Sequence, residues 1–191
     1  MKEYRVSLPL DEESVQRLSA GDAVLLSGCL YTARDAAHKR LYECIQRGEE
    51  LPIRLENETI YYVGPAPAKE GYAVGPAGPT SSYRMDKYTP ALLERGLRAM
   101  LGKGVRSPEV KESMKKNKAV YFACIGGAAV LISKSIKKSE LVCYEDLGPE
   151  AIYRFWIEDF PAIVAVDSRG RDQYEIGRKE FLEKKCKGEM V

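Results

Sequence analysis

The sequence predicts an α/β fold in which a mixed sheet packs in layers against flanking helices. Strand-like and helix-like patterns of apolar residues alternate through the middle of the chain, and further strand-like patterns stand near both ends. In addition, 45% of the 191 residues are hydrophobic, which is enough for a buried core and too many for a disordered chain. We therefore expect a single domain over residues 1–191.

The N-terminal third is expected to hold strands over residues 2–8, 23–31 and 60–63. A helix is predicted between the second and third strands, with Thr32 as its N-cap and Asp35 completing an approximate capping box. Apolar residues continue at helical spacing from Ala33 to Ile45. Residues 64–79 are rich in glycine and proline and are expected to be irregular.

Two further helices are predicted from proline-containing start signals. Thr89 and Pro90 begin the first, whose apolar stripe reaches Leu101 and which Gly102 is expected to end. Ser107 and Pro108 begin the second helix, which is expected to end near residue 117. The remaining predictions are strands over 119–125, 141–145, 153–157 and 162–167, a helix from the Gly126 turn to Ile136, and a final helix over 177–187.

The composition gives no support for a nucleic-acid-binding or membrane protein. There are 30 basic and 28 acidic residues, for a net charge of +2, so no strong field attracts polyanions. The longest apolar run, 119–132, is interrupted by glycines and is too short to span a bilayer. The first residues lead into an alternating strand pattern instead of an apolar secretory signal. We therefore expect a cytoplasmic protein.

The cysteines favour reduced thiols over disulfides or a metal site. The five are odd in number, widely spread, and mostly set in apolar strands: Cys29, Cys44, Cys124, Cys143 and Cys186. None forms a Cys-x-x-Cys pair, and His38 is the single histidine. We therefore expect no metal or iron–sulfur site made wholly by this chain.

Residues 75–88 are the most informative segment for function. Glycines and prolines up to Pro79 shape a stiff loop, which then presents the hydroxyls of Thr80, Ser81 and Ser82 and the guanidinium of Arg84. Such donors suit a small anion, a carboxylate or a phosphate. Taken alone, the same composition is also typical of a plain surface loop.

Together with other segments, this loop carries a resemblance to a known family. The segments are 31–40 (YTARDAAHKR), 100–104 (MLGKG), 126–129 (GGAA), 145–151 (EDLGPEA) and 160–167 (FPAIVAVD). In this order they resemble the C-terminal domain, or separate β subunit, of class I iron–sulfur hydro-lyases, which include fumarate hydratases and L-tartrate dehydratases. The resemblance runs from about residue 20 to about residue 175. Ser81 departs from the threonine usual in the family but keeps a hydroxyl.

The resemblance implies a swivelling-type β/β/α domain and a shared active site. In the family, the open iron of a [4Fe-4S] cluster carries off hydroxide; because this chain lacks cluster ligands, the cluster is expected on a partner α subunit. The resemblance thus implies a hetero-oligomer that hydrates fumarate to L-malate. The segments 84–90 and 36–40 look closer to fumarate hydratases, and L-tartrate dehydratase remains the alternative.

The resemblance also implies roles for individual residues. Arg34, Arg84 and Lys103 would bind the substrate carboxylates, and Thr80 would be the catalytic base. A threonine hydroxyl is so weak an acid that it could act only as an alkoxide stabilised by nearby cations, and simple hydrogen-bond donation by Thr80 is the alternative. Arg34 could equally be in a surface ion pair, and Lys103 could sit at a helix C-terminus.

Supporting roles are expected for Asp35, His38, Ser81, Gly126 and Gly127. His38 lies one turn after Arg34 on the same helix face and three residues after Asp35. An Asp35–His38 pair could relay protons, orient Arg34 or form a structural hydrogen bond. The two glycines follow a strand and could offer amide donors to an anion, although tight packing of the turn explains them as well.

Two hypotheses of other classes remain open from sequence alone. The first is a stand-alone anion-binding or regulatory domain, which would also lack cluster ligands. A neighbouring gene for a longer chain with three widely spaced cysteines would favour the β subunit over this hypothesis. A phosphate-binding enzyme built on residues 75–84 is less well supported, since no P-loop or magnesium-ligand pattern accompanies the loop.

Overall fold

The structure is a computed structural model that describes residues 3–124 and 129–187. The strands are β1 (Glu3–Leu8), β2 (Ala23–Thr32), β3 (Thr59–Tyr61), β4 (Ala99–Gly102), β5 (Val120–Ala123), β6 (Ile136–Cys143) and β7 (Ile152–Val166). The α-helices are α1 (Glu12–Arg17), α2 (Asp35–Gln46), α3 (Thr89–Leu93), α4 (Pro108–Asn117), α5 (Ala129–Ser135) and α6 (Gln173–Cys186). Short 3₁₀ helices span Ser82–Met85 and Glu145–Glu150.

The strands form one mixed sheet that closes into a barrel-like ring. Strands β2, β3, β4 and β5 follow one another in parallel, and β7 closes the ring by pairing antiparallel with both β5 and β2. Strand β1 lies parallel beside β2, and β6 lies antiparallel beside β7. The predicted α/β class with a mixed sheet and flanking helices is confirmed.

Side chains alternate between two cores along these strands, as the pleat requires. One core comprises residues such as Leu26, Tyr61 and Phe122, which face the interior of the ring. The neighbouring positions, such as Tyr62 just after β3 and Tyr121 in β5, pack instead against helices α2, α3 and α4. The second core therefore fixes these helices on the outside of the ring.

The helix predicted from Thr89 to Gly102 begins where expected, but its predicted end is wrong. The structure ends α3 at Leu93 and forms β4 from Ala99 to Gly102, with a glycine at positive φ (Gly96, φ 94) between them. All four β4 residues are buried, because the strand lies between β3 and β5 with both faces covered. A short apolar run of this kind cannot be assigned by periodicity alone.

The two strands predicted over 153–157 and 162–167 are one strand, β7. Its register against β2 continues through Phe160 and Pro161, with an irregularity opposite Ser27. There Asp159 has a positive φ of 47°, and its amide donates to Ser27 Oγ at 3.0 Å. The side chain thus satisfies the amide that the bulge removes from the ladder.

Several predicted boundaries also move. Thr32 is the last residue of β2, its hydroxyl accepting from the Tyr153 amide at 3.0 Å, and α2 begins at Asp35 after Arg34. Residue 136, predicted as the end of a helix, begins β6. The last helix begins at Gln173, capped by Asp172, and α1 was not expected at all.

No helix among residues 3–124 and 129–187 has the length and hydrophobicity needed to cross a membrane.

Candidate active site

The candidate residues gather at the carboxyl edge of the parallel strands. Arg34 lies two residues after β2, Gly64 three residues after β3, and Lys103 directly after β4. Parallel strands end at a common edge, which is where α/β sheets bind ligands. Gly126 and Gly127 follow β5, but they lie outside the described residues.

The segment carrying Thr80 and Ser81 is fixed to this edge by its backbone. The Thr80 amide donates to the Tyr62 carbonyl at 2.7 Å, and the Ser82 amide donates to the Lys103 carbonyl at 2.9 Å. Ser81 forms an isolated parallel bridge with Lys103. These contacts hold Thr80 and Lys103 on adjacent strands of backbone.

This close approach explains Gly102, the residue expected to end a helix. A Cβ atom at position 102 would lie 2.0 Å from Ser82 Oγ and 2.9 Å from the Tyr62 ring. Any larger residue would push the Thr80 segment off the end of β4. Gly102 therefore serves a packing purpose at the site.

Arg34 and Arg84 are joined by one carboxylate. Arg84 Nε donates to Asp35 Oδ1 at 2.8 Å, and Arg34 Nε lies 3.5 Å from Asp35 Oδ2. The side chains of Arg34 and Arg84 remain 24% and 43% exposed. Because only Nε of Arg84 is engaged among the described residues, its two terminal nitrogens can still bind a ligand.

Glu150 was missed by sequence reasoning. Its Oε1 lies 3.2 Å from Arg34 Nη2, and its Oε2 accepts from the Ala36 amide at 3.0 Å. The residue therefore orients Arg34 and satisfies an amide in the first turn of α2. Only the family resemblance of segment 145–151 indicated that this region contributes to the site.

Gly64 also shapes the environment of Arg34. A Cβ atom here would lie 3.1 Å from Arg34 Cδ and 3.2 Å from Arg34 Nη1. The glycine thus allows the guanidinium to lie against the backbone that follows β3.

His38 is buried behind the site as a neutral imidazole. Its Nδ1 lies 3.0 Å from the Arg34 carbonyl oxygen and donates to it, and its ring meets Tyr62 edge to face at 5.1 Å. Burial lowers the pKa of His38 to about 4, although the hydrogen bond to the Arg34 carbonyl opposes this shift. Asp35 contacts the two arginines, so the geometry favours a structural hydrogen bond for His38 over an Asp–His relay.

Lys103 is exposed, and Thr80 and Ser81 are partly buried. Within the described ranges, Lys103 has no ion-pair partner. The edge therefore combines three cations, Arg34, Arg84 and Lys103, with two carboxylates, Asp35 and Glu150. An arrangement with surplus positive charge and open donors is suited to an anionic ligand.

The part of the chain that the structure describes contains no group of three His, Cys, Asp or Glu residues that could hold a metal ion. All five cysteines are free, and burial raises the pKa of the Cys124 thiol well above its usual range. The described residues therefore do not fit an iron–sulfur cluster.

Comparison with known proteins gives consistent results. A sequence model described as Fumarase C-terminus matches residues 2–177. The chain is 44% identical over 168 residues to a protein named fumarate hydratase class I, aerobic, of Salmonella typhimurium, covering 85% of this chain and 29% of that protein. It is 39% identical over 170 residues to fumarate hydratase 2 of Leishmania major, covering 87% of this chain and 30% of that protein.

A further relative has nearly the same length as this chain. The two are 35% identical over 181 residues, covering 92% of this chain and 93% of a protein of Methanocaldococcus jannaschii named as L(+)-tartrate dehydratase subunit beta. The chain thus spans less than a third of the two fumarate hydratases and almost all of the beta subunit.

Proposed function

The chain belongs to the family described as Fumarase C-terminus, and from that membership we propose that it is the β subunit of a class I fumarate hydratase. The reaction is the reversible hydration of fumarate to L-malate. The observation that carries this proposal is the pair of arginines, Arg34 partly buried and Arg84 exposed, that Asp35 joins at the carboxyl edge of the sheet.

The charges of the site match what a dicarboxylate requires. Two carboxylates must be held at a fixed separation, and planar guanidinium groups can each bind one through two hydrogen bonds. We assign one carboxylate to Arg84, whose terminal nitrogens are open, and the other to Arg34. Asp35 engages Nε of both arginines, so a carboxylate on the terminal nitrogens of Arg84 would leave that contact in place. A carboxylate on Arg34 would compete with Glu150 for Nη2.

Lys103 and Thr80 would act on the reacting carbons. Removing a proton next to a carboxylate develops charge on that carboxylate, and a nearby ammonium stabilises this charge in the transition state. We assign this role to Lys103 and the proton-abstracting role to Thr80. Its backbone is anchored to Tyr62 and Lys103, which favours a fixed position for the hydroxyl.

A partner chain completes the proposal. Because the described residues do not fit an iron–sulfur cluster, we assign the [4Fe-4S] cluster implied by the resemblance to a separate α subunit. The length of the two fumarate hydratase relatives supports this, since about 70% of each lies outside the matched part. A hetero-oligomer follows, and we propose a cytoplasmic location, consistent with free thiols.

A tartrate dehydratase is the second candidate. One observation favours it: the relative that matches this chain over 93% of its own length is named as a tartrate dehydratase beta subunit. L-Tartrate is also a four-carbon dicarboxylate, so the same two arginines could hold it.

Purification of the chain together with its partner under anaerobic conditions tests the proposal. Hydration of fumarate and dehydration of L-tartrate are then measured side by side, with the chain alone as a control. We expect activity on fumarate from the pair and none from the chain alone. Activity on tartrate alone would select the second candidate. Activity and iron–sulfur absorbance from the chain alone would contradict the two-subunit proposal.

A further inference from the structure

Arg106 is a fully buried cation beneath the candidate site. Its side chain has 0% exposure, yet each nitrogen of the guanidinium has a partner. Nε donates to Asp86 Oδ1 at 2.7 Å, Nη2 to Thr89 Oγ1 at 2.8 Å, and Nη1 to the Tyr62 hydroxyl at 3.2 Å. We call Arg106, Asp86, Thr89 and Tyr62, together with Tyr121, the buried cluster.

Aromatic rings complete the surroundings of Arg106. The guanidinium carbon lies 5.3 Å from the Tyr62 ring centroid and 5.1 Å from that of Tyr121. The Tyr121 hydroxyl donates to the Gly104 carbonyl at 3.0 Å and lies 2.9 Å from Ser82 Oγ. The cluster therefore contacts the segments that carry Arg84 and Lys103, two of the three candidate substrate-binding residues.

Arg106 remains charged in this environment. Burial by itself would lower the pKa of Arg106, but the facing groups of Tyr62, Asp86 and Tyr121 raise it overall. A buried ion pair adds little to stability compared with apolar residues of the same shape, because both charges must leave water. What distinguishes this pair is the two segments that it connects.

Asp86 ties the turn of Arg84 to the segment of Lys103. It directly follows the 3₁₀ helix that contains Arg84. Besides binding Arg106, its Oδ2 accepts from the Ser107 amide at 2.8 Å. Lys103 stands three residues before Arg106 on the same stretch of backbone. The buried Asp86–Arg106 pair thus connects the two segments that carry Arg84 and Lys103.

We propose that Arg106 and Asp86 are positioning residues that set the distance between Arg84 and Lys103, and so determine how the site binds a dicarboxylate. This inference rests on the proposed function. Neither residue is expected to touch the substrate. Arg106 is fully buried with its donors engaged, and both oxygens of the largely buried Asp86 already accept hydrogen bonds. Displacements of about 1 Å in a catalytic group can lower turnover by about 100-fold.

Arg106→Lys tests the proposal in the full chain purified with its partner. Lysine keeps the charge but cannot reproduce the planar fork that binds Asp86, Thr89 and Tyr62 together. We expect kcat/KM for fumarate to fall by about 10- to 100-fold. Amide hydrogen exchange should become faster mainly in residues 80–88 and 102–107. Asp86→Asn is the second variant, because its single acceptor oxygen can keep the bond from the Ser107 amide, whereas its amide nitrogen cannot accept from Arg106 Nε.

Val15→Ala serves as the control for general destabilisation. Val15 is buried in α1 against the other core, and its truncation should lower the melting temperature without changing kcat/KM. If Arg106→Lys and Asp86→Asn behave like Val15→Ala, or if exchange rises evenly along the chain, the proposal is overturned. Should the wild-type chain with its partner act on neither fumarate nor tartrate, the proposed function fails. The exchange pattern then still decides whether Arg106 and Asp86 hold the two segments together.

Discussion

The edge cluster, which we define as Arg34, Arg84, Asp35 and Glu150, and the buried cluster around Arg106 use the same chemical groups in opposite ways. Arg34 and Arg84 keep 24% and 43% of their side chains in contact with solvent, whereas Arg106 keeps none. Terminal nitrogens of Arg84 are open to a ligand, while each nitrogen of Arg106 has a partner inside the protein.

This difference separates binding from support. A buried guanidinium whose donors all have protein partners holds its neighbours in place. A guanidinium at an accessible edge with open donors can bind the carboxylate of a ligand. Removal of Arg106 should therefore lower stability and, through the positions of Arg84 and Lys103, also activity, whereas removal of Arg84 should lower activity with the fold retained. The predictions below are designed to test that division.

Arg106→Met should produce the largest loss of stability. It leaves the Asp86 carboxylate without its partner in a largely buried position, at a cost of about 3–5 kcal/mol in the free energy of unfolding. Urea unfolding of the variant measures this cost. In the double variant Arg106→Met with Asp86→Asn, about 1 kcal/mol or more should be recovered, because no unpaired charge remains. Additive losses would show that the two residues do not act as a pair.

Thr80→Val should lower turnover of the assembled enzyme by about 100- to 10,000-fold if Thr80 abstracts the proton. Thr80→Ser should retain part of the rate because it keeps the hydroxyl. The measurement is exchange of the C3 proton of malate with deuterated solvent. Rapid exchange by Thr80→Val would assign proton removal to another group and leave Thr80 as a hydrogen-bond donor.

His38 links the two clusters and should make stability depend on pH. Its pKa of about 4 in the folded protein lies below the value of about 6.5 in the unfolded chain. The unfolded state therefore binds more protons below pH 6.5. The resulting stability is fully present above pH 6.5 and is lost as the pH falls toward 4, by about 3 kcal/mol in total.

His38→Gln should remove this dependence, because glutamine can donate to the Arg34 carbonyl but does not titrate. Unfolding free energies at several pH values between 7 and about 4 provide the comparison. Carboxylates titrate in both proteins, so the difference between the two curves isolates His38. Parallel curves would mean that His38 is not held neutral by burial.

Glu150→Gln should have the smallest effect. The amide keeps an acceptor oxygen for Ala36 or Arg34 but loses the charge, and the pair with Arg34 is partly exposed. We expect a loss of about 1 kcal/mol or less in stability and a reduction of about 3- to 10-fold in kcat/KM. Glu140→Gln, at an exposed ion pair on β6, is the matched control. Equal effects of both substitutions would remove Glu150 from the site.

Local signals predicted the parts of the fold that depend on local structure. Ser107 and Pro108 predicted α4, and the structure caps it through Ser107 Oγ and the Val110 amide at 3.3 Å. By contrast, the sequence predicts a helix where β4 forms. This strand is stabilised by pairing with β3 and β5, which are distant in sequence, and a local pattern cannot show that pairing. The closure of the ring by β7 likewise could not be predicted from the periodicity of apolar residues.

The candidate site shows the same limit. Arg34, Arg84 and Lys103 stand in recognisable segments, and the structure brings those segments to one edge. Glu150 and Arg106 could not be identified in this way, because their roles depend on partners that are distant in sequence. Glu150 pairs with Arg34, more than a hundred residues away, and Arg106 pairs with Asp86, about twenty residues away. Whether the assigned residues bind substrate, and whether residues 1–191 form a single domain, stay predictions.

The central claim is that the edge cluster binds a dicarboxylate. Its most direct test is kcat/KM for fumarate and L-tartrate in the assembled enzyme with Arg84→Ala, compared with Arg40→Ala. Arg40 forms an ion pair with Asp146 outside the cluster. We predict that Arg84→Ala costs about 2–4 kcal/mol of transition-state stabilisation, or about 30- to 1000-fold, with folding retained. Arg40→Ala should remain within about 3-fold of wild type. Near-normal kcat/KM for Arg84→Ala would contradict the account.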